Sequence, residues 1–390
     1  MNLAVIPYHD WRKILIEGSR TRDAHFINCF QKLDKLEKLI IINRPITFPE
    51  LLVKKRFKKI IGEVLLSKNG CRLIQIDKKS FVIDFISPDF ITHIIKKRDW
   101  YFNAYKSDKF ISFINDAYTY LDVKDVSYIS YNIYSAFLFE KLKPKKLVFD
   151  AWDNYARFPF SDKHLSKLKD AYHAFAKYAR LWITNSLENK EYYSNNYDFH
   201  SITVIKNGVD LLKFKDKLIE KPIDIKNLPS PIIGFGGKIT YLFDVDLFNY
   251  LLDHNKKKSF VIVGQIIDRA IFKRIKKASN FYYLGDKHYN KYPLYVKSFD
   301  ICIIPYLVGE KAHGGDSIKA YEYLAAGKKT IGTIGNGLED LEDYVYLHND
   351  YSLFSKELMS ISNNKKILND EVFSWFKKAD SIHHIIKERL

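Results

Sequence analysis

The sequence predicts an α/β protein built from two doubly wound parallel sheets. Short apolar segments alternate with longer helical patterns along most of the 390 residues, which is typical of successive βαβ units. The alternation is interrupted by a polar stretch that contains Pro222, Pro229 and Pro231, as expected of a linker between domains. Because 390 residues suffice for two domains of ordinary size, we predict one sheet on each side of this linker.

Six segments of the first half have the apolar, β-branched composition of strands buried on both faces. They are Leu39–Asn43, Phe81–Phe85, Val126–Ser130, Leu147–Ala151, Leu181–Asn185 and Ile202–Ile205. The opening Leu3–Pro7 is a further candidate. Asn207-Gly208 then predicts a turn, and we place the end of the first domain at residue 205.

A second series of strands follows the linker. They are Ile232–Gly236, Ser259–Val263, Phe281–Leu284, Asp300–Tyr306, Lys329–Gly332 and Tyr344–Leu347. The last segment, from Trp375 to Leu390, is amphipathic and has no Pro or Gly, which predicts a terminal helix. The predicted domains are residues 1–205 and 206–374, followed by a helix over 375–390. Ligands bind at the carboxyl ends of the strands in such sheets, so a cleft between the two halves is the expected place for a reaction.

The composition predicts a soluble cytoplasmic protein. Apolar residues make up 47% of the chain and charged residues 28%, which is ordinary for a protein with buried cores. No uncharged apolar stretch reaches the ~18 residues of a transmembrane helix, and the start MNLAVIPYHDWRK lacks the pattern of a secretory signal. Cys29, Cys71 and Cys302 are scattered without metal-ligand spacing and are expected to be reduced.

The net charge of +17 favours an anionic partner. Nucleotide diphosphates, anionic lipid headgroups and polyanions all fit this charge. Lysine-rich solvated faces are also common in chains of this composition, so charge alone leaves the partner open. A basic nucleic-acid-binding protein is one alternative, although no nucleic-acid-binding motif is present, and its binding would depend steeply on salt.

The stretch 300–335 has the pattern of strand, glycine-rich loop, short helix and strand. Asp316 or Ser317 can cap the helix, because a short oxygen side chain accepts from the first N–H groups. Gly327 is expected to end the helix, and Lys328 suits its negative end. A helix that begins after a flexible loop presents unpaired N–H groups and the positive end of its dipole, which predicts an anion-binding site.

Glu322 lies one turn after Ile318 on the same face of this helix. A carboxylate in that position can accept from two neighbouring hydroxyls of a ribose while the helix start binds a diphosphate. The alternative is a capped surface helix in which Glu322 pairs with Lys319.

The segment SIKAYEYLAAGKKTIGT, residues 317–333, resembles the nucleotide-sugar signature of retaining GT-B glycosyltransferases of the group 1, family-4-like type, which build bacterial polysaccharides and glycolipids. The resemblance implies a GT-B fold, in which two Rossmann-like domains face a central cleft and the last helix packs back on the first domain. It also implies that Glu322 binds the donor ribose and that Ser317, Ile318 and Lys319 bind the diphosphate. One departure is Gly314, where many members carry a second Glu that contacts the donor sugar.

Other parts of the second half extend the resemblance. Gly236 and Gly237 directly follow a strand, where glycine lets the backbone approach a ligand, and Lys238 can place a positive charge near the donor phosphates. Gly264 ends the next strand and resembles the loop under the nucleotide base, and Tyr306 is expected near the base or ribose. The alternatives are a tight strand–helix turn for the glycines and a plain surface tyrosine for Tyr306.

Candidate acceptor-binding and catalytic residues lie in the first half. Asp150 and Asp153 follow a strand in a D-x-x-D segment that resembles one facing the cleft in several such enzymes. Asp153 is expected to accept from the nucleophilic hydroxyl or to orient the sugar, and a helix cap is its alternative. Arg22 and His25 resemble an R-x-x-H pattern in which Arg22 binds a phosphate and His25 a sugar, although a lone His on a helix is more often structural.

Two loop residues and one basic segment complete the candidates. His313 and Asp316 are expected to contact the sugar, because exposed loop residues more often bind than pack. The segment 51–68 predicts a basic amphipathic helix that can lie on an anionic membrane, and a core-packed helix with a basic edge is the alternative.

These patterns predict an enzyme that moves a sugar from a nucleoside diphosphate sugar to a hydroxyl of a glycan or lipid-linked acceptor, with retention. Asp153, His25 and Lys238 are the predicted catalytic residues. The sequence has no HExxH or CxxC signature, so we expect no metal or other cofactor. A GT-B epimerase or hydrolase acting on the sugar nucleotide is the alternative.

Overall fold

The computed structural model describes residues 1–54, 59–216, 220–309, 315–335, 337–366, 368 and 371–389. The chain divides into two compact units, each built around its own sheet. The first unit comprises Met1–Lys206 together with Lys378–Leu390, and the second comprises Asn207–Lys377.

The first unit contains a sheet of ten strands within the described residues. They are β1 (Asn2–Ile6), β2 (Lys38–Ile42), β3 (Ile46–Thr47), β4 (Glu63–Lys68), β5 (Cys71–Gln75), β6 (Ser80–Ser87), β7 (Val126–Ser130), β8 (Lys146–Asp150), β9 (Leu181–Thr184) and β10 (Ile202–Val204). Their order is β10-β9-β8-β7-β1-β2-β6-β5-β4, with β3 paired to β6. The winding direction therefore reverses between β1 and β7, which is where doubly wound sheets bind their ligands.

Nine helices belong to this part of the described chain. They are α1 (Trp11–Glu17), α2 (Arg22–Lys32), α3 (Phe48–Val53), α4 (Phe90–Lys96), α5 (Trp100–Tyr105), α6 (Asp108–Tyr120), α7 (Leu138–Leu142), α8 (Asp162–Tyr178) and α9 (Leu187–Tyr197). Aromatic rings join them to the sheet. Phe149 of β8 stacks on Phe175 of α8 with 3.7 Å between ring centroids, and Trp182 of β9 meets Phe149 edge to face.

The prediction of one helix over 51–68 is wrong. α3 ends at Val53, and Glu63–Lys68 forms β4, which pairs antiparallel with β5 at the edge of the sheet. The turn between the two strands is Asn69-Gly70, with positive φ angles of 52° and 80°, as in a two-residue hairpin. Residues 55–58, which carry part of the predicted basic stripe, lie outside the described residues.

The second unit contains a six-stranded sheet in its described part. The strands are β11 (Ile232–Gly236), β12 (Ser259–Val263), β13 (Phe281–Tyr283), β14 (Ile301–Ile304), β15 (Lys329–Gly332) and β16 (Tyr346–Leu347). All are parallel, in the order β13-β12-β11-β14-β15-β16. This is the order of a Rossmann sheet, with its switch point between β11 and β14.

Helices surround this second sheet. They are α10 (Leu211–Lys215), α11 (Ile223–Lys226), α12 (Val245–His254), α13 (Arg269–Arg274), α14 (Tyr292–Ser298), α15 (Ile318–Ala325) and α16 (Tyr351–Glu357), followed by the terminal α17 (Trp375–Arg389). From Lys378 onwards α17 belongs to the first unit, where Asp380 accepts from the Lys35 ammonium (2.8 Å). The predicted fold class, two doubly wound α/β domains, is confirmed.

Candidate donor-binding site

The switch point of the second sheet brings together two predicted segments. β11 ends at Gly236 and pairs with β12 on one side and with β14 on the other. Gly237 therefore lies beside the end of β14, where Tyr306 follows after two residues and packs edge to face on Phe235 (6.3 Å between centroids). A ligand at the carboxyl ends of these strands would meet this turn first.

The glycines at the strand ends are required by the close approach of two backbones. Gly264, at the end of β12, has a φ of 154°, and a Cβ there would lie 1.8 Å from the carbonyl oxygen of Gly237. A Cβ at Gly236 would lie 2.1 Å from the Tyr292 hydroxyl. The Gly237 N–H donates to Val263 (2.9 Å), so the sheet hydrogen bonding continues past the end of β11. A side chain at Gly264 would therefore collide with backbone, and one at Gly236 would collide with the Tyr292 ring.

The start of α15 has the features of an anion site. Ser317 precedes the helix in extended conformation (φ −82°, ψ 102°), and its side chain does not cap the helix. The Ser317 Oγ is buried, with no hydrogen-bond partner in the part of the chain that the structure describes. The N–H groups of Ile318 and Lys319 lie in the first turn, where a helix supplies no acceptor.

Asp316 holds the loop in front of α15 instead of capping the helix. Its carboxylate accepts from the Tyr321 hydroxyl (2.7 Å) and from the backbone N–H of Asn207. The Asn207 amide also donates to the Asp316 carbonyl (2.7 Å). The expectation that Asp316 caps the helix is therefore wrong, because the carboxylate is engaged elsewhere. Its predicted contact with a sugar stays a prediction, and His313 and Gly314 lie outside the described residues.

Glu322 is 4% exposed and is held by a hydrogen bond that the sequence did not predict. The Tyr289 hydroxyl donates to its Oε1 (2.7 Å). The next residue, Tyr323, bonds the backbone of Gly236 twice, accepting from its N–H (2.7 Å) and donating to its C=O (3.1 Å). The carboxylate thus has a fixed place relative to the end of β11.

Lys319 lies against the glycine turn. Its ammonium donates to the Tyr306 hydroxyl (2.5 Å) and lies 4.7 Å from the centroid of that ring. A Cβ at Gly237 would be 2.8 Å from Lys319 Cε, so the side chain passes directly over the turn. The alternative prediction, a surface ion pair between Lys319 and Glu322, is wrong. Each of the two side chains forms a hydrogen bond with a different tyrosine. Lys238 is half-buried and makes no hydrogen bond or ion pair with a described residue.

We expect Lys319→Ala to weaken binding of a nucleoside diphosphate about tenfold, because the ammonium is held at the turn and a charge-assisted hydrogen bond contributes about 1.5–3 kcal/mol. Lys238→Ala should have a smaller effect, because no contact with a described residue holds its ammonium and binding would have to immobilise the side chain. Titration calorimetry on both variants tests this order, with the exposed Lys273→Ala as the control. A larger loss for Lys238→Ala would contradict it.

In the first unit, Arg22 and Asp150 form a buried ion pair. The guanidinium Nε donates to both carboxylate oxygens (3.0 and 3.1 Å), and a terminal nitrogen lies 3.0 Å from Oδ2. The two residues are 0% and 1% exposed. Burial raises the pKa of Asp150 to about 6, although Arg22 opposes this shift. The pair joins the start of α2 to the end of β8, and the predicted phosphate and sugar contacts of these residues stay predictions.

A carboxylate of α2, Asp23, was not predicted as a site residue. It accepts from the backbone N–H of His9 (2.9 Å), contacts the His9 ring (3.1 Å) and accepts from the Thr21 hydroxyl (2.5 Å). Burial alone would raise the pKa of Asp23, but His9 and these hydrogen bonds lower it well below its usual range. Asp23 therefore fixes the loop that follows β1. His25, two residues later, is 3% exposed.

Asp153 lies in the loop after β8 and is half-buried. The helix-cap alternative is wrong, because Asn154 is the residue whose side chain caps the short 3-10 helix Tyr155–Arg157. The hydroxyls of Tyr172 and Tyr193 donate to the Asp153 carbonyl oxygen and hold the loop in place. The catalytic role predicted for its carboxylate stays a prediction.

The structure brings together most of the predicted donor residues of the second unit. Tyr289, Tyr323 and Asn207, which hold them, were missed because each bonds a residue distant from it in sequence, and no local pattern marks such partners. Among the described residues no group of three His, Cys, Asp or Glu side chains can hold a metal ion. We also find no described helix with the length and apolarity that spanning a bilayer requires.

No protein-family model matches the sequence, and no curated protein is detectably similar to it. Solved structures are similar in fold. Sucrose-phosphate synthase from Thermosynechococcus elongatus has a TM-score of 0.67 at 12% identity, with 100% of this chain and 99% of that chain covered. A UDP-forming α,α-trehalose-phosphate synthase from Burkholderia vietnamiensis has a TM-score of 0.63 at 11% identity, with 100% and 98% covered.

A trehalose-6-phosphate synthase studied for glycosyl transfer with retention has a TM-score of 0.60 at 10% identity, with 99% of this chain and 96% of that chain covered. At such low identity the likeness carries the fold and not the activity. The chain has the GT-B fold of two Rossmann-like domains.

Proposed function

We propose that the protein transfers a sugar from a nucleoside diphosphate sugar to a hydroxyl group of an acceptor, with retention of configuration. The single observation that carries the proposal is the arrangement at the switch point of the second sheet. A buried carboxylate, Glu322, follows an uncapped helix start, and the Lys319 ammonium lies over the adjacent Gly237 turn. The carboxylate is suited to the ribose of a sugar nucleotide, the helix start to its diphosphate, and the ammonium to the negative charge of that diphosphate.

Each group has a definite chemical task in this scheme. The Glu322 carboxylate accepts from the ribose hydroxyls. The free N–H groups of Ile318 and Lys319 face the diphosphate and stabilise the negative charge that develops on it as the glycosidic bond breaks. Lys319 adds a full positive charge at the same place. A phosphate oxygen of the donor takes the acceptor proton, and neither a metal nor another cofactor is needed.

The names of the similar structures support the same reaction class. They are synthases of sucrose phosphate and trehalose phosphate, one of them described as UDP-forming and another studied for transfer with retention. We extend the proposal to a glycan or lipid-linked acceptor. A lipid-linked acceptor would require contact with a membrane, for which the predicted helix over 51–68 is not available because β4 occupies its second part.

Thermal-shift measurements against a panel of nucleotide sugars test the proposal. We expect one nucleotide sugar and its nucleoside diphosphate to raise the melting temperature, because a ligand that binds only the folded state stabilises it by mass action. Product analysis with and without acceptor then separates transfer from the epimerase or hydrolase reaction, which would consume the donor alone. If no nucleotide sugar raises the melting temperature at millimolar concentration, the proposal is wrong.

A further inference from the structure

Helices α3 and α4 lie side by side in the first unit. They follow β3 and β6, which pair in parallel with Ile46 opposite Ile86 and Thr47 opposite Ser87. His93 of α4 joins the two helices, since its Nδ1 is 2.9 Å from the Thr47 hydroxyl and its Nε2 is 3.8 Å from a Glu50 oxygen. These contacts place α3 and α4 next to each other.

The apolar side chains of α4 point to solvent. All seven of its residues are described, and none is buried. Ile91, Ile94 and Ile95 are 62%, 65% and 72% exposed, and their i, i+3, i+4 spacing puts them on one face. The opposite side carries His93, which packs on the Trp100 ring with 4.5 Å between centroids. In most amphipathic surface helices the apolar side faces the core, whereas in α4 it faces solvent.

α3, the neighbouring helix, also carries exposed apolar side chains. Phe48, Leu52 and Val53 are 62%, 46% and 82% exposed, and Phe90 at the start of α4 is 44% exposed. We call these residues the α3–α4 face: Phe48, Leu52, Val53, Phe90, Ile91, Ile94 and Ile95. A cluster of large exposed aliphatic and aromatic side chains marks an interaction surface in a folded protein.

The border of this face is basic. Lys96, Lys97 and Arg98 are exposed in the segment that ends α4. The nearby acidic groups are engaged. Glu50 is buried and pairs with Arg44 (2.7 Å), and the Asp89 carboxylate caps α4 at Thr92 and accepts from the Trp100 indole (3.2 Å). The charge that an approaching partner meets is therefore positive, in agreement with the net charge of +17.

We propose that the α3–α4 face docks the protein on an anionic lipid bilayer. The isoleucines and Phe90 would enter the boundary between headgroups and acyl chains, while Lys96, Lys97 and Arg98 contact lipid phosphates. A second copy of the chain fits less well, because a symmetric contact through this face would bring the same basic residues together. The inference agrees with a lipid-linked acceptor but does not rest on the proposed function, since it needs no turnover.

Co-sedimentation with lipid vesicles tests the inference. The full chain should bind phosphatidylcholine vesicles that contain phosphatidylglycerol more tightly than phosphatidylcholine alone, and salt should weaken this binding. The variant Ile91→Gln/Ile94→Gln/Ile95→Gln should bind the anionic vesicles at least about tenfold more weakly, because it removes apolar area that enters the bilayer. Its melting temperature should not change, since none of the three side chains is buried.

The control replaces three equally exposed apolar residues of the second unit, Leu212→Gln/Ile223→Gln/Met359→Gln, which are 79%, 88% and 75% exposed. This variant should bind vesicles like the original chain. Equal binding by the original chain and the isoleucine variant, or no vesicle binding by the original chain, would overturn the inference. A dimer that the isoleucine variant loses, without vesicle binding, would assign the face to a second copy instead. None of these outcomes depends on nucleotide-sugar binding, so this test and that of the proposed function can fail separately.

Discussion

Glu322→Ala is expected to lower the affinity for the nucleoside diphosphate by about a hundredfold or more. A hydrogen bond to a charged group contributes about 1.5–3 kcal/mol, and the carboxylate is placed to accept two from a ribose. Each 1.4 kcal/mol corresponds to about a factor of ten in affinity. Titration calorimetry with the nucleotide that gives the largest thermal shift measures the loss. The fold should survive, because losing the hydrogen bond from the Tyr289 hydroxyl costs only about 1–3 kcal/mol.

Two further variants separate the carboxylate from its surroundings. Glu322→Gln keeps the size of the side chain and removes the charge, so its affinity should fall between those of the original chain and Glu322→Ala. Glu339→Ala removes an exposed carboxylate of the same unit and should leave the affinity unchanged. Unchanged affinity in Glu322→Ala would exclude Glu322 from the donor site, whatever reaction the protein performs.

Arg22→Met is expected to destabilise the protein by about 3–5 kcal/mol, because it leaves the Asp150 carboxyl buried without its cation. Methionine retains the aliphatic part of the side chain, so the loss reports mainly the guanidinium with its charge and hydrogen bonds. Urea unfolding followed by circular dichroism measures the change. Arg20→Met, which removes a partly exposed guanidinium 3.7 Å from Glu17, is the control and should cost at most about 1 kcal/mol.

The cost of Arg22→Met should grow as the pH rises from about 5 to about 8. The pKa of Asp150 is raised to about 6 in the folded protein, above the roughly 3.9 of an unfolded chain, so ionisation of this carboxyl opposes folding as the pH increases. Arg22 lowers the free-energy cost of burying the Asp150 carboxyl only when that carboxyl is charged. Removing Arg22 therefore costs more stability at higher pH. Adding Asp150→Asn to Arg22→Met should therefore restore part of the stability at pH 8. If the single and double variants are equally unstable at pH 8, the unpaired charge of Asp150 is not the cause of the instability.

The sequence predicted the second unit almost completely. β11, β12 and β15 have the predicted bounds, because each is a short, fully buried segment next to glycine or proline. The helix that carries Glu322 begins and ends where the loop and Gly327 indicated, and Gly327 has the positive φ of 69° that ends such helices. A local sequence pattern is enough to predict an element when the buried residues and the turn residues indicate the same bounds.

The edge of the first sheet was missed for a physical reason. Val64 and Leu65 of β4 fit a helical period as well as a strand, and a strand at the edge of a sheet is defined by its partner β5 instead of its own sequence. The Asn69-Gly70 turn was the available signal. In the site, the hydroxyl of Tyr289 could not be assigned because its contact with Glu322 joins residues 33 positions apart.

The double hydrogen bond between Tyr323 and Gly236 separates two properties of the site. It anchors the helix of Glu322 to the central strand, so the sheet itself helps to fix the position of the Glu322 carboxylate. Under the proposed function, residues ahead of the helix can then vary while this carboxylate stays where it would bind the donor.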